Sequence, residues 1–137
     1  MKTEINAEGQ LVLVVDVTDQ FLMDVLCTAV ETPPSNWFNF SDAERDKDRE
    51  YLSVVVADWG DEDQAQSTKK ITLEDLRRAL PALIAGTMKD GVEHANLHES
   101  YRMQILKAIM DDDAGMVDAN HADSILQAAY FGHIVYG

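Results

Sequence analysis

The chain has one cysteine, three prolines and only eleven basic residues among its 137. A single cysteine, Cys27, excludes an internal disulfide and agrees with a reducing compartment. It lies within FLMDVLCTAV, where a small buried core residue is the expected role; no neighbouring His or cation is there to make it a nucleophile. Long apolar runs are missing too. LVLVV and VVVA are the longest, far short of the roughly 20 residues of a membrane-spanning helix. The start, MKTEINAEGQ, lacks the apolar stretch of a signal peptide, so a cytoplasmic protein is expected. The scarcity of bases says most. Twenty-five acids outnumber them and leave a net charge of −14. Gripping a phosphate backbone requires Lys and Arg to neutralise phosphates, so direct binding of nucleic acid is not expected. A protein partner with a basic surface, such as one that itself grips nucleic acid, suits this charge better. Solubility alone is the plain competing reading.

Catalytic signatures are missing as well: no GxSxG, P-loop, GxGxxG or CxxC occurs. A non-enzymatic protein without a cofactor is therefore expected. His94 and His98, four residues apart, lack a third zinc ligand and read as surface histidines. Asp111, Asp112 and Asp113 resemble a calcium loop only superficially. Counted from Asp111, the sixth position is Met116 rather than Gly, and the twelfth is Ala122 rather than Glu. No metal is expected, although acids leaving a helix oppose its dipole and hint at some use.

What is present reads as one α+β domain over residues 1–137. Hydrophobic residues make up 46%, enough for a chain of this length to bury a core without staples. Residues 10–17, QLVLVVDV, predict a buried strand. Thr18 or Asp19 then caps a helix carrying Phe21, Leu22, Val25, Leu26, Ala29 and Val30, ended by Pro33 and Pro34. SNWFNF reads as an aromatic loop. Residues 41–50 follow as a charged helix or loop, with Ser41 as its cap. Residues 51–59 predict a second strand, GDEDQAQS a polar turn, and KKIT a returning third strand. Thr72 and Asp75 form a capping box for a helix over 73–85, with Pro81 predicting a kink or break. Two more helices are predicted over 100–110 and from the Asp118 cap to Ala129, with Gly132 as the stop. The expected order is β-α-β-β-α-α-α: a small antiparallel three-stranded sheet packed on one face against about four helices. Residues 1–8 and 60–68 are expected to be mobile.

Acids and aromatics cluster around the second strand. Trp37, Phe38, Asp58, Trp59, Asp61, Glu62 and Asp63 would, if exposed together, make a partner-binding patch. Tryptophan anchors supply binding energy, and charges speed encounter. Aromatics that cap the core beside a solvated acidic face are the competing arrangement.

Three segments also carry a family resemblance: DQFLMDVLCTAVE with SNWF, the strand–acidic turn–ITLEDL unit, and DANHADSILQAAYFGHIVYG. Together they resemble small accessory proteins of tailed bacteriophages. Asp16, Glu31, Asn36 and Trp37 correspond to the first motif; Asp123, Gln127, Phe131, Gly132, Tyr136 and Gly137 correspond to the terminal one. The chain departs from that pattern in Pro33 and Pro34, where the family tends to glycine, and in His133, where Glu is usual. The resemblance implies phage origin and a bacterial cytoplasm. With the charge, it leads to the expectation of an inhibitor that binds a host protein, for example in CRISPR or restriction defence. One alternative is a sponge for a signalling nucleotide, using Arg77, Arg78, Arg102 and Lys107 with Trp37 or Tyr101 stacking on the base. Another is a role in virion assembly. Self-association stays open.

Overall fold

The computed structural model describes residues 1–59, 67–87 and 98–136. Among them, two antiparallel sheets and four helices make up an α+β fold. β1 (Lys2–Ile5) and β2 (Leu11–Val14) form a hairpin apart from the main sheet. Its turn is tied by Asn6, whose Oδ1 accepts from the N–H groups of Glu8 and Gln10. Gly9 takes the left-handed φ of 76° that the turn requires. β3 (Phe38–Arg45), β4 (Tyr51–Asp58) and β5 (Ser67–Thr72) build the second sheet, with β4 in the middle.

Helix boundaries follow local chemistry. Thr18 accepts from the Phe21 N–H and starts α1 (Asp19–Glu31). Thr72 and Asp75 form a reciprocal capping box at the start of α2 (Leu73–Ala85), and Gly86, at a φ of 72°, ends it. Pro81 lies inside α2 without ending it. It sits on the exposed side near the C-terminus, where water can take the carbonyl that proline leaves unbonded. α3 spans Glu99–Met110, and α4 spans Ala119–Phe131 between its Asp118 cap and Gly132.

α4 is the central element. It packs against α1, α2 and β5, and its buried residues include His121, Asp123, Ser124 and Gln127 beside Ala122, Ile125 and Leu126. Val54 and Val56 of β4, Ile71 of β5, and Leu22, Leu26, Leu76, Leu83 and Ile105 complete the core. The opposite face of the sheet, with Asn39, Ser41, Thr68 and Lys70, is open to solvent.

The fold class is as expected, but two strands more than expected appear. Residues 10–17 do not enter the main sheet: β2 leaves Leu11 65% exposed in the separate hairpin. A β-branched apolar run marks a strand without saying which sheet it joins. The partner of β2 is β1, drawn from residues expected to be mobile. Ser41 does not cap a helix either. Residues 38–45 form an edge strand with a bulge at Asp42, whose φ is 48°. Edge strands tolerate charge and need no buried alternation, which hid this one from the periodicity. Residues 60–66, within the expected mobile turn, lie outside the described residues.

Candidate functional site

The residues expected to form one exposed patch divide instead between the core and the surface. Trp37 is 3% exposed, and Phe38 and Asp58 are buried. The Trp37 ring stacks on Tyr136 at 5.6 Å and touches Phe38, Tyr130 and Phe131. Its indole N–H donates to Oδ1 of Asp123 at 2.8 Å. Asp58 accepts from the Tyr136 hydroxyl at 3.0 Å. Trp59 is half-buried, and its backbone N–H donates to the Trp37 carbonyl. Trp37, Phe38 and Asp58 are thus buried rather than presented on an exposed patch, while Trp59 stays partly accessible. A Trp anchor exposed to water forfeits burial that this cluster supplies internally. Asp61, Glu62 and Asp63 lie outside the described residues.

The cluster is joined by a buried polar network. Asp123, 3% exposed, accepts from Trp37 and from Nε2 of Gln127 at 2.7 Å. Gln127 also bonds the 134–136 segment: its Oε1 accepts from the N–H groups of Val135 and Tyr136, and its Nε2 donates to the Tyr136 carbonyl. Burial pushes the Asp123 carboxyl above its ordinary value, partly opposed by the Trp37 and Gln127 bonds. Trp37, Asp123, Gln127, Phe131, Gly132 and Tyr136, singled out by sequence motif, thus meet in space or terminate the helix that carries them. Their arrangement latches the 134–136 segment to α4 and β4.

The accessible acids are on the edge strand and the turn after it. Every residue of β3 after Phe38 is exposed, including Asp42 and Glu44, and Asp48 is exposed in the turn. Glu44 pairs with Lys70 at 2.6 Å across the open face of the sheet. Asp46 accepts from the N–H groups of Asp48 and Glu50 and so holds the turn. Phe40, 37% exposed, meets Tyr51 edge-on, and Arg45 lies over the Tyr51 ring at 4.0 Å. The Tyr51 hydroxyl donates to Glu31 at 2.7 Å, and that bond holds the Glu31 carboxyl below its usual range. Cys27 donates to the other Glu31 oxygen at 3.3 Å; burial first, then Glu31, pushes the thiol up to about 11. A thiol held protonated is a poor nucleophile.

The other candidates find structural partners. Asp111 takes the Lys107 ammonium, Asp112 accepts from the Thr18 hydroxyl, and Asp113 accepts from the Gly115 N–H. The hint of a separate use for these acids is answered by these bonds. No group of metal-ligating side chains occurs among the described residues. His98 caps α3 through Nδ1, and His94 lies outside the described residues. Arg77 is committed to Asp19, Glu74 and the Val17 carbonyl, and Arg102 donates to the Ile84 carbonyl. Two shallow grooves meet at Lys69. One, of about 280 Å³, is lined by Arg78, Ala82 and Gly132 among others; the second, of about 380 Å³, by Ser67, Thr68, Tyr130 and Phe131.

Among the described residues, no helix is long and apolar enough to cross a membrane. Comparison with family models, curated proteins and solved structures finds no match to this chain.

Proposed function

We propose that this protein is a non-enzymatic binding protein of phage type that occupies a basic surface of a host protein, as an inhibitor of host defence would. The observation that carries this reading is the acidic edge of the main sheet. Among the described residues, β3 has a free outer edge with Asp42 exposed, Glu44 exposed beside Lys70, and a turn presenting Asp48 between Lys47 and Arg49. An extended basic segment can add to such an edge by main-chain hydrogen bonds while its cations face the acids. The net charge of −14 speeds the encounter and opposes nucleic acid as the direct ligand. Phe40 and the Arg45–Tyr51 pair offer an adaptable apolar and cationic rim at one end of the strand.

The test is capture of partners from a bacterial lysate by the tagged protein at two salt concentrations. The captured protein is then titrated against the triple variant Asp42→Lys, Glu44→Lys, Asp48→Lys. A partner that leaves at high salt, and binds the variant at least tenfold more weakly, supports the reading. Unchanged affinity removes the β3 edge. The same measurement on a triple reversal of Asp61, Glu62 and Asp63 then decides whether the β4–β5 turn carries the contact.

The meeting of the two grooves at Lys69 favours a second reading, the nucleotide sponge. Lys69 offers a cation for phosphate, with Arg78 beside it 3.6 Å from Asp75, and Tyr130 and Phe131 offer aromatic surface for a base. This site differs from the expected one, because Trp37 is buried and Arg77 is spent in ion pairs. A bound species absorbing near 260 nm, released on denaturation and lost in Lys69→Ala, would support it.

A further inference from the structure

The β1–β2 hairpin stands out because its side chains are mostly exposed. Seven of its eight strand residues are exposed, and Ile5 is 66%, Leu11 65% and Leu13 40% exposed. An isolated two-stranded hairpin is marginal in water, and its unpaired edge is a template for pairing with another chain. Only Lys2, Glu4 and Glu8 carry charged side chains among residues 1–15. The hairpin is therefore nearly neutral in a molecule whose charge of −14 otherwise repels its own copies.

The hydrogen-bond phase of the hairpin shows what its free edge can accept. The Asn6 N–H donates to the Gln10 carbonyl, so Asn6 and Gln10 form a bonded pair. Bonded and non-bonded pairs alternate along an antiparallel ladder. With the observed register, Glu4–Val12 and Lys2–Val14 are then bonded pairs, and the main-chain groups of Thr3 and Ile5 point away from β2. A strand added antiparallel to β1 must bond to these odd-numbered residues. Val15 and Val17, which follow β2, are partly buried against the core, whereas every residue of β1 is exposed.

We propose that β1 pairs with β1 of a second copy, in the register that places Thr3 opposite the partner's Thr3. Three central registers satisfy the odd-numbered bonding. One sets Lys2 against the partner's Lys2, and another sets Glu4 against the partner's Glu4; like charges directly opposite are destabilising. The Thr3–Thr3 register alone sets each Lys2 against the other copy's Glu4, with Met1 beside Ile5 at both ends. It gives a four-stranded antiparallel sheet, β2-β1-β1-β2, about a two-fold axis. Thr3, Ile5, Leu11 and Leu13 of both copies share one face of it, so the apolar side chains form one continuous surface across the axis.

Sedimentation equilibrium of the full chain tests the proposal. The wild type should form a concentration-dependent dimer. Lys2→Glu alone and Glu4→Lys alone each turn two attractive pairs into repulsive ones, and should weaken the dimer roughly tenfold. Mixing the two single variants should restore a heterodimer, because the two introduced charges are opposite in sign and face each other across the axis. Thr3→Pro removes an N–H that the hairpin itself does not use, and should leave a folded monomer by circular dichroism. A wild type that stays monomeric at every concentration overturns the proposal. So does a dimer that Thr3→Pro leaves intact, or single variants that fail to complement on mixing.

Discussion

Replacing Trp37 by Phe tests the buried network directly. The substitution keeps a six-membered ring among Phe38, Phe131 and Tyr136, but deletes the indole N–H that donates to Asp123 at 2.8 Å. A hydrogen bond to a buried charged group contributes about 1.5–3 kcal/mol. The missing ring atoms cost on the order of 1 kcal/mol more. The sum, about 3 kcal/mol, is a large fraction of a domain stability on the order of 10 kcal/mol. With a urea dependence of roughly 2 kcal/mol per molar, the midpoint should fall by about 1.5 M at pH 7. Far-ultraviolet circular dichroism reports the helices, and Trp59 is left as the lone fluorescent tryptophan. The sign with pH is fixed by Asp123. Its folded pKa is raised by burial, so its own contribution is fully present below the unfolded value of 3.8 and is lost as pH rises through the folded value. The indole N–H partly offsets that loss by stabilising the charged form. The penalty of Trp37→Phe should therefore be largest at neutral pH and shrink as pH falls through the Asp123 pKa. A midpoint within about 0.3 M of wild type at pH 7 would refute the reasoning. A penalty that grows on acidification would refute it equally.

Cys27, with its pKa pushed up to about 11 from 9.0, should react with a maleimide at pH 8 about a hundredfold more slowly than an unshifted thiol. Glu31→Gln should recover part of that rate in a stopped-flow assay; an ordinary wild-type rate would contradict the assignment. His121 is 2% exposed, its ring nitrogens have no hydrogen-bond partner among the described residues, and burial lowers its pKa against the opposing pull of Asp118. Its neutral form is the folded one, so its contribution is complete above 6.5 and is lost as pH falls through the depressed folded value. His121→Leu should flatten the decline of thermal stability as pH falls below 6.5; an unchanged slope would assign that decline to other groups.

Where the sequence could be read, local chemistry decided the structure. Thr18, the Thr72–Asp75 capping box, Asp118 and Gly132 set helix ends as expected, because caps act over three or four residues. The strand over 51–58 and the KKIT part of the strand over 67–72 were legible from β-branched content and a polar turn between them. β3 was not, since an edge strand with one buried residue carries no alternation. The destination of β2 was equally hidden: its partner lies just before it in the chain, across a polar turn, and LVLV reads alike whether it enters a core or meets a second molecule. The burial of Trp37 was hidden for a related reason. Trp37 and Asp123 are 86 residues apart in the chain, and no local pattern reports that they meet.

That separation has a consequence during synthesis. Translation adds about 5–20 residues per second, so Trp37 waits roughly 4–17 seconds after its own addition before Asp123 is made. The latch from Gln127 to Val135 and Tyr136 can form only later still. Through this interval Trp37, Phe38 and Asp58 lack the partners that bury them in the finished molecule. A chain that ends before Asp123 should therefore expose aromatic surface that the finished molecule buries.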